Sequence, residues 1–193
     1  MKVVEFFGVP GVGKSIETLK LSKRLAEDGK KCILLRENEY SDFPTLNRKK
    51  YMMRLLKPDN FCTIVTFCVR NVFYRGKEFY LGTFKERLKI LLRQLMYVEI
   101  YNDKALSRKY DVLISDQGLM QEITGYFLET GLVNKWIVYF FNKIVNKDNE
   151  MIFAYLEKHL DETQYNIKKR NRKSTSMDFY EDSKLVNYLQ MYQ

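Results

Sequence analysis

Along this chain, short apolar runs alternate with longer stretches of helical period. That order is expected of a parallel sheet covered by helices. Lys2-Val3-Val4-Glu5-Phe6-Phe7 is a β-branched and aromatic run that reads as a buried strand, with Glu5 interrupting it. Ile16, Leu19, Ala26 and Leu21, Leu25 then recur at helical spacing up to Glu27-Asp28-Gly29, where Gly29 supplies a stop. Lys31 to Arg36 predicts a second strand, apolar enough to be buried on both faces. Residues 44–109 carry no strand pattern and predict three helices. The first runs from Leu46 to Lys57 and is closed by Pro58, and the second runs from Asn60 to about Tyr74. The third starts at Thr83, an N-cap residue with Glu86 three positions on, and its stripe of Leu88, Leu91, Leu92, Leu95, Val98 and Ala105 reaches about Arg108. Tyr110 to Asp116 is the next buried strand, followed by helices at Leu119–Glu129 and around Lys135–Asn146. Met151–Leu156 is a fourth strand, Asp161-Glu162 open a helix, and Asp178 to Tyr192 form the last one. There is no internal repeat.

Between the first strand and the first helix lies Gly8-Val9-Pro10-Gly11-Val12-Gly13-Lys14-Ser15, which fits G-x-x-x-x-G-K-[ST] without a mismatch. The glycines let the backbone of Gly8 to Ile16 curl so that its N–H groups, which Pro10 alone lacks, face phosphate oxygens. A helix N-terminus adds partial positive charge, Lys14 can bridge the outer phosphates, and the Ser15 hydroxyl suits Mg²⁺. The expected ligand is a nucleoside triphosphate, ATP with Mg²⁺. Asp116, an acid ending a strand of apolar residues, would hold that Mg²⁺ or accept a proton from an incoming hydroxyl. Glu37, with Arg36, stands at the carboxyl end of the second strand, where α/β sheets bind ligands; a solvated turn is the competing reading. Arg54, Arg70, Arg75 and Arg93 lie in the helical insertion 44–109 and are candidate contacts for a phosphate on the acceptor. The basic run Lys168 to Lys173 reads either as a solvated or nucleic-acid-binding face or as a lid, over about 165–176, whose Arg170 and Arg172 close on the triphosphate.

Composition narrows the class. A chain of 193 residues, 46% hydrophobic and 15% aromatic, is not disordered and is expected to form one domain over 1–193. The longest purely apolar run, Trp136 to Phe141, is too short to cross a bilayer, and the glycine loop occupies the place of a signal cleavage site. A cytoplasmic protein without a membrane partner is expected. Cys32, Cys62 and Cys68 form no C-x-x-C pair and read as small buried hydrophobes, with no zinc site; His159 is expected at the surface. The net charge of +9 implies affinity for polyanions, which phosphorylated small molecules satisfy as well as nucleic acid does.

These residues resemble the P-loop nucleoside and nucleotide kinases, in particular the thymidylate kinase-like group. Arg36-Glu37 resembles that group's Arg-Glu-Pro element, Asp116 its Asp-Arg motif, Arg170 and Arg172 its lid arginines, and Asp178-Phe179-Tyr180-Glu181 its acidic-aromatic stretch. The resemblance implies a three-layer α/β/α fold with a mostly parallel sheet of four or five strands, and γ-phosphoryl transfer from Mg-ATP. Asn38 and Gln117 depart from the group's proline and arginine, so thymidylate is not the expected substrate; the sequence stops within or just after a helix at Gln193, where the group adds a final strand, so a sheet of four strands stands beside one of five as the expectation. The leading expectation is a phosphotransferase acting on a nucleoside, nucleotide or phosphorylated sugar, with a homodimer left open. The alternative is an ATP-dependent switch or regulatory ATPase acting on a protein. Nucleic-acid binding is not expected, because the basic run lacks aromatic interleaving or a helix-turn-helix pattern.

Overall fold

The computed structural model of the protein describes residues 1–35, 43–46, 49–73, 84–130, 142, 149–169 and 182–190. Strands β1 (Lys2–Gly8), β2 (Cys32–Leu34), β3 (Val112–Ser115) and β4 (Glu150–Leu156) form one sheet in the order β2-β3-β1-β4, with every neighbouring pair parallel. β1 is thus central, with Glu5 level with Ser115 of β3 and Phe153 of β4. A central parallel strand is covered on both faces, and its side chains alternate between them. Val4 and Phe6 pack with Cys32, Leu34, Val112 and Ile114 against helix α1 (Lys14–Glu27), through Leu19, Leu21 and Leu25.

On the opposite face, Val3, Ile33, Leu35 and Leu113 pack against three helices: α2 (Lys49–Arg54), α4 (Phe84–Tyr101) and α6 (Leu119–Thr130). Tyr51, Leu95, Tyr101 and Leu119 fill that side. Helix α3 (Pro58–Phe73) packs on α4, and α5 (Lys104–Lys109) leads into β3. Beyond β4, helices α7 (Leu160–Lys169) and α8 (Asp182–Gln190) bury Ile167, Leu185 and Leu189 against Val9 of the glycine loop. The result is the expected three-layer arrangement with four parallel strands among the described residues.

Several boundaries differ from the sequence reading. Pro58 opens α3 rather than merely closing α2, because a first-turn proline gives up an N–H that the helix would leave unpaired anyway. The predicted single helix from Thr83 to Arg108 breaks after Tyr101, and Asp103 caps the new helix α5 by accepting from the Ala105 amide at 2.9 Å. Ala105, expected on the buried stripe, is exposed as a result. β2 is shorter than Lys31–Arg36, although Leu35 still donates to the Ile114 carbonyl at 2.9 Å. Of the cysteines, Cys32 is buried as expected, while Cys62 is exposed and Cys68 half-buried on α3. The helix expected around Lys135–Asn146 falls, but for Asn142, outside the described residues.

Candidate functional site

The carboxyl ends of β1 and β3 lie side by side, and the loops leaving them meet. Gly8 ends β1 with φ 136°, and a Cβ there would run into the Leu156 carbonyl of β4, so only glycine lets the chain turn away at this point. Gly13 is the N-cap of α1 with φ 101°, and no side chain caps that helix. Its carbonyl accepts from the amides of Ile16 and Glu17 at 2.9 and 3.1 Å. The loop therefore presents a helix N-terminus, with its partial positive charge, at the sheet edge. Lys14 extends back over the loop, its Nζ donating to the carbonyls of Gly8 and Val9 at 2.7 and 3.0 Å. Val9, Gly11 and Val12 are buried, Pro10 is half-buried, and Ile16 stands 60% exposed.

Asp116 follows β3 directly and is buried. The Ser15 hydroxyl donates to its Oδ2 at 2.6 Å, across 101 residues of sequence. Its other oxygen, Oδ1, is buried and has no hydrogen-bond partner among the described residues. A buried carboxylate oxygen without a donor is costly. A hydroxyl and a carboxylate converging beside a glycine loop form an all-oxygen donor set of the kind Mg²⁺ prefers, so these residues fit that ion.

Of the other predicted residues, Glu37, Arg36, Arg170 and Arg172 lie outside the described residues, as do Arg75 and the side chain of Arg70. Two insertion arginines face carboxylates of the fold. Arg54 pairs with Asp103 at 3.0 Å, its guanidinium over the Tyr51 ring, and Tyr51 donates to the same carboxylate at 2.6 Å. Burial raises the Asp103 carboxyl, but the Tyr51 hydroxyl, the Ala105 amide and Arg54 outweigh it and hold it below the ordinary aspartate value. Arg93 pairs with Glu122 of α6 at 2.8 Å. The sequence reading of both as acceptor contacts left out these partners. Gln117 is exposed, and His159 is exposed as expected.

Two residues that touch the loop, and a third that lies beneath one of them, carried no motif. Gln121 of α6 accepts from the Gly8 amide through Oε1 at 3.1 Å. Asn166 of α7 donates to the Gly11 carbonyl at 3.1 Å. Glu5, fully buried, accepts from the Tyr101 hydroxyl at 2.8 Å and from the Gln121 amide at 3.0 Å. Burial pushes the Glu5 carboxyl up to about 7, against the pull of the Gln121 amide and the Tyr101 hydroxyl. One signal could have found it: Glu5 shares the parity of Val3 on a central strand, so its side chain must enter the core.

No protein-family model matches this chain, and no curated protein matches it. Among solved structures it is similar to a deoxyadenosine kinase from M. mycoides with products dCMP and a flexible dCDP bound. The two share 17% identity over 98% of this chain and 81% of that one, with a TM-score of 0.48. No helix among the described residues is long and apolar enough to cross a membrane.

Proposed function

We propose that the chain is a phosphotransferase that moves the γ-phosphate of Mg-ATP to a small acceptor: a nucleoside, a nucleotide or a phosphorylated sugar. The observation that carries this reading is the pairing of Ser15 with Asp116 beside the glycine loop, which leaves the buried Oδ1 of Asp116 without a partner among the described residues. In this reading backbone N–H groups of the loop between Gly8 and Ile16, together with the Lys14 ammonium, bind the β- and γ-phosphates. Lys14 then exchanges its contacts with the Gly8 and Val9 carbonyls for phosphate oxygens. Ser15 and Asp116 hold Mg²⁺, which when bound offsets the negative charge of the phosphates. Glu37 orients the acceptor or takes its proton, with Asp116 the other candidate base. Arg170 and Arg172, in a lid over about 165–176, close on the transferred group, and residues 44–109 form the acceptor side of a single 1–193 unit.

The test is ADP production from Mg-ATP with and without a pooled panel of nucleosides, nucleotides and phosphorylated sugars, with Lys14→Ala as the blank. An acceptor-dependent rise that is lost in Lys14→Ala is expected. Slow turnover indifferent to every acceptor, yet lost in Lys14→Ala, would overturn the phosphotransferase in favour of an ATP-dependent switch.

A further inference from the structure

An acid in the centre of a parallel sheet needs a reason, because an apolar side chain would pack beside Val3 at no electrostatic cost. Glu5 reaches neither the loop nor the sheet edge. It lies beneath the first turn of α6, where it accepts from the Gln121 amide, and Tyr101, which donates to it, accepts in turn from the Leu119 amide at 3.4 Å. The α6 start sits directly on this pair: a Cβ on Gly118 would collide with the Tyr101 hydroxyl and the Glu5 carboxylate. Two features of the nucleotide site hang from that turn. Asp116 is two residues ahead of Gly118, and the Gln121 side chain holds the amide of Gly8.

We propose that Glu5 is a positioning residue, which with Tyr101 fixes the first turn of α6 and so sets the Asp116 loop and the start of the glycine loop relative to each other. This rests on the Mg-nucleotide reading of the site given above. The carboxyl is suited to the task because its two oxygens accept separately, one from the Tyr101 hydroxyl and the other from the Gln121 amide in the first turn of α6. The chain of contacts runs from α4 through Tyr101 and Glu5 to α6, and from there to both halves of the site. Relaxing it changes the distance between the Mg²⁺ ligand Asp116 and the phosphate-binding backbone without removing either.

The experiment is calorimetric titration of the full chain with ATP, once with Mg²⁺ and once with EDTA, for the wild type, Glu5→Gln, Tyr101→Phe and Gln121→Leu. Glu5→Gln keeps an oxygen for the Gln121 amide but loses the charge and the bond from Tyr101. Tyr101→Phe removes that arm alone, and Gln121→Leu cuts the link to Gly8. The expected result is a Kd for Mg-ATP raised about tenfold in Glu5→Gln and Gln121→Leu, the scale of one charge-assisted hydrogen bond. The gain in affinity conferred by Mg²⁺ should also shrink in Glu5→Gln and Tyr101→Phe. A residue serving only stability would lower the melting temperature and leave that gain at its wild-type value. An unchanged Mg²⁺ gain in folded Glu5→Gln overturns the proposal; should that variant not fold, an unchanged gain in Tyr101→Phe overturns it equally. A wild-type chain that binds no Mg-ATP overturns the underlying site reading, and the proposal with it.

Discussion

Replacing Glu5 with glutamine has a second consequence, which can be read without any ligand. The carboxyl is fully buried and pushed from 4.5 up to about 7, chiefly by desolvation. Below pH 4.5 it is protonated in both folded and unfolded chains. As the pH rises past that value the unfolded chain releases the proton while the folded one keeps it, so stability falls until about pH 7 and is level above. The shift from 4.5 to about 7 amounts to ~3 kcal/mol at 1.36 kcal/mol per unit, and integrating the two titrations puts about 2.5 kcal/mol of it between pH 5 and pH 8. Glutamine cannot ionise, so Glu5→Gln should lose this slope. Asp103 and Glu99, whose carboxyls lie below their ordinary values, contribute with the opposite sign at lower pH, and they remain in both proteins. Urea unfolding of wild type and variant at pH 5, 6, 7 and 8 isolates the Glu5 contribution as a difference. The wild type should weaken relative to Glu5→Gln by about 2.5 kcal/mol across that range. A difference that stays constant from pH 5 to pH 8 would refute the burial argument for Glu5.

Two other outcomes follow from named contacts, and a third from the proposed lid. Lys14→Ala should abolish turnover while shifting ligand-free stability by no more than ~1 kcal/mol, because the Gly8 and Val9 carbonyls that its half-buried side chain holds lie in a loop that water can reach in its place; global unfolding of the variant in a thermal melt would count against that. Asp103→Ala removes the α5 cap, the Tyr51 hydrogen bond and the partner of Arg54 together, and should cost ~3 kcal/mol or more in chemical denaturation. A loss below ~1 kcal/mol would show that water replaces those contacts at no cost. Arg170→Ala should chiefly lower kcat, as expected of a group that acts in the transition state, and an effect confined to the KM for ATP would contradict the lid role.

The strand–loop–helix unit was legible because its signals are local: an apolar run, glycines at fixed offsets, and a helical stripe. The nearness of Ser15 and Asp116 was legible only as chemistry, since an acid ending an apolar strand beside a glycine loop suits either a metal ion or an incoming hydroxyl; the 2.6 Å contact itself spans 101 residues. Glu5 showed in the sequence only as a break in an apolar run, without its role. Its partners Tyr101 and Gln121 are 96 and 116 residues away, and no periodicity reports a hydrogen bond of that range. The same holds for Arg54 and Arg93, whose carboxylate partners lie on helices that only the folded chain brings near. The break between α4 and α5 was open to a closer reading, because Asp103 is a good N-cap residue inside the stripe. Pro58 shows the opposite hazard, a residue that ends one helix and begins another with equal chemical justification.

A phosphotransferase and a switch differ in where the γ-phosphate goes, and a label on that group follows it. Mg-ATP labelled at the γ position is incubated with the protein and the pooled acceptors, and the products are separated by chromatography. Label is expected on a small organic acceptor, absent with Lys14→Ala. Label recovered only as inorganic phosphate, at a rate no acceptor changes, would contradict it.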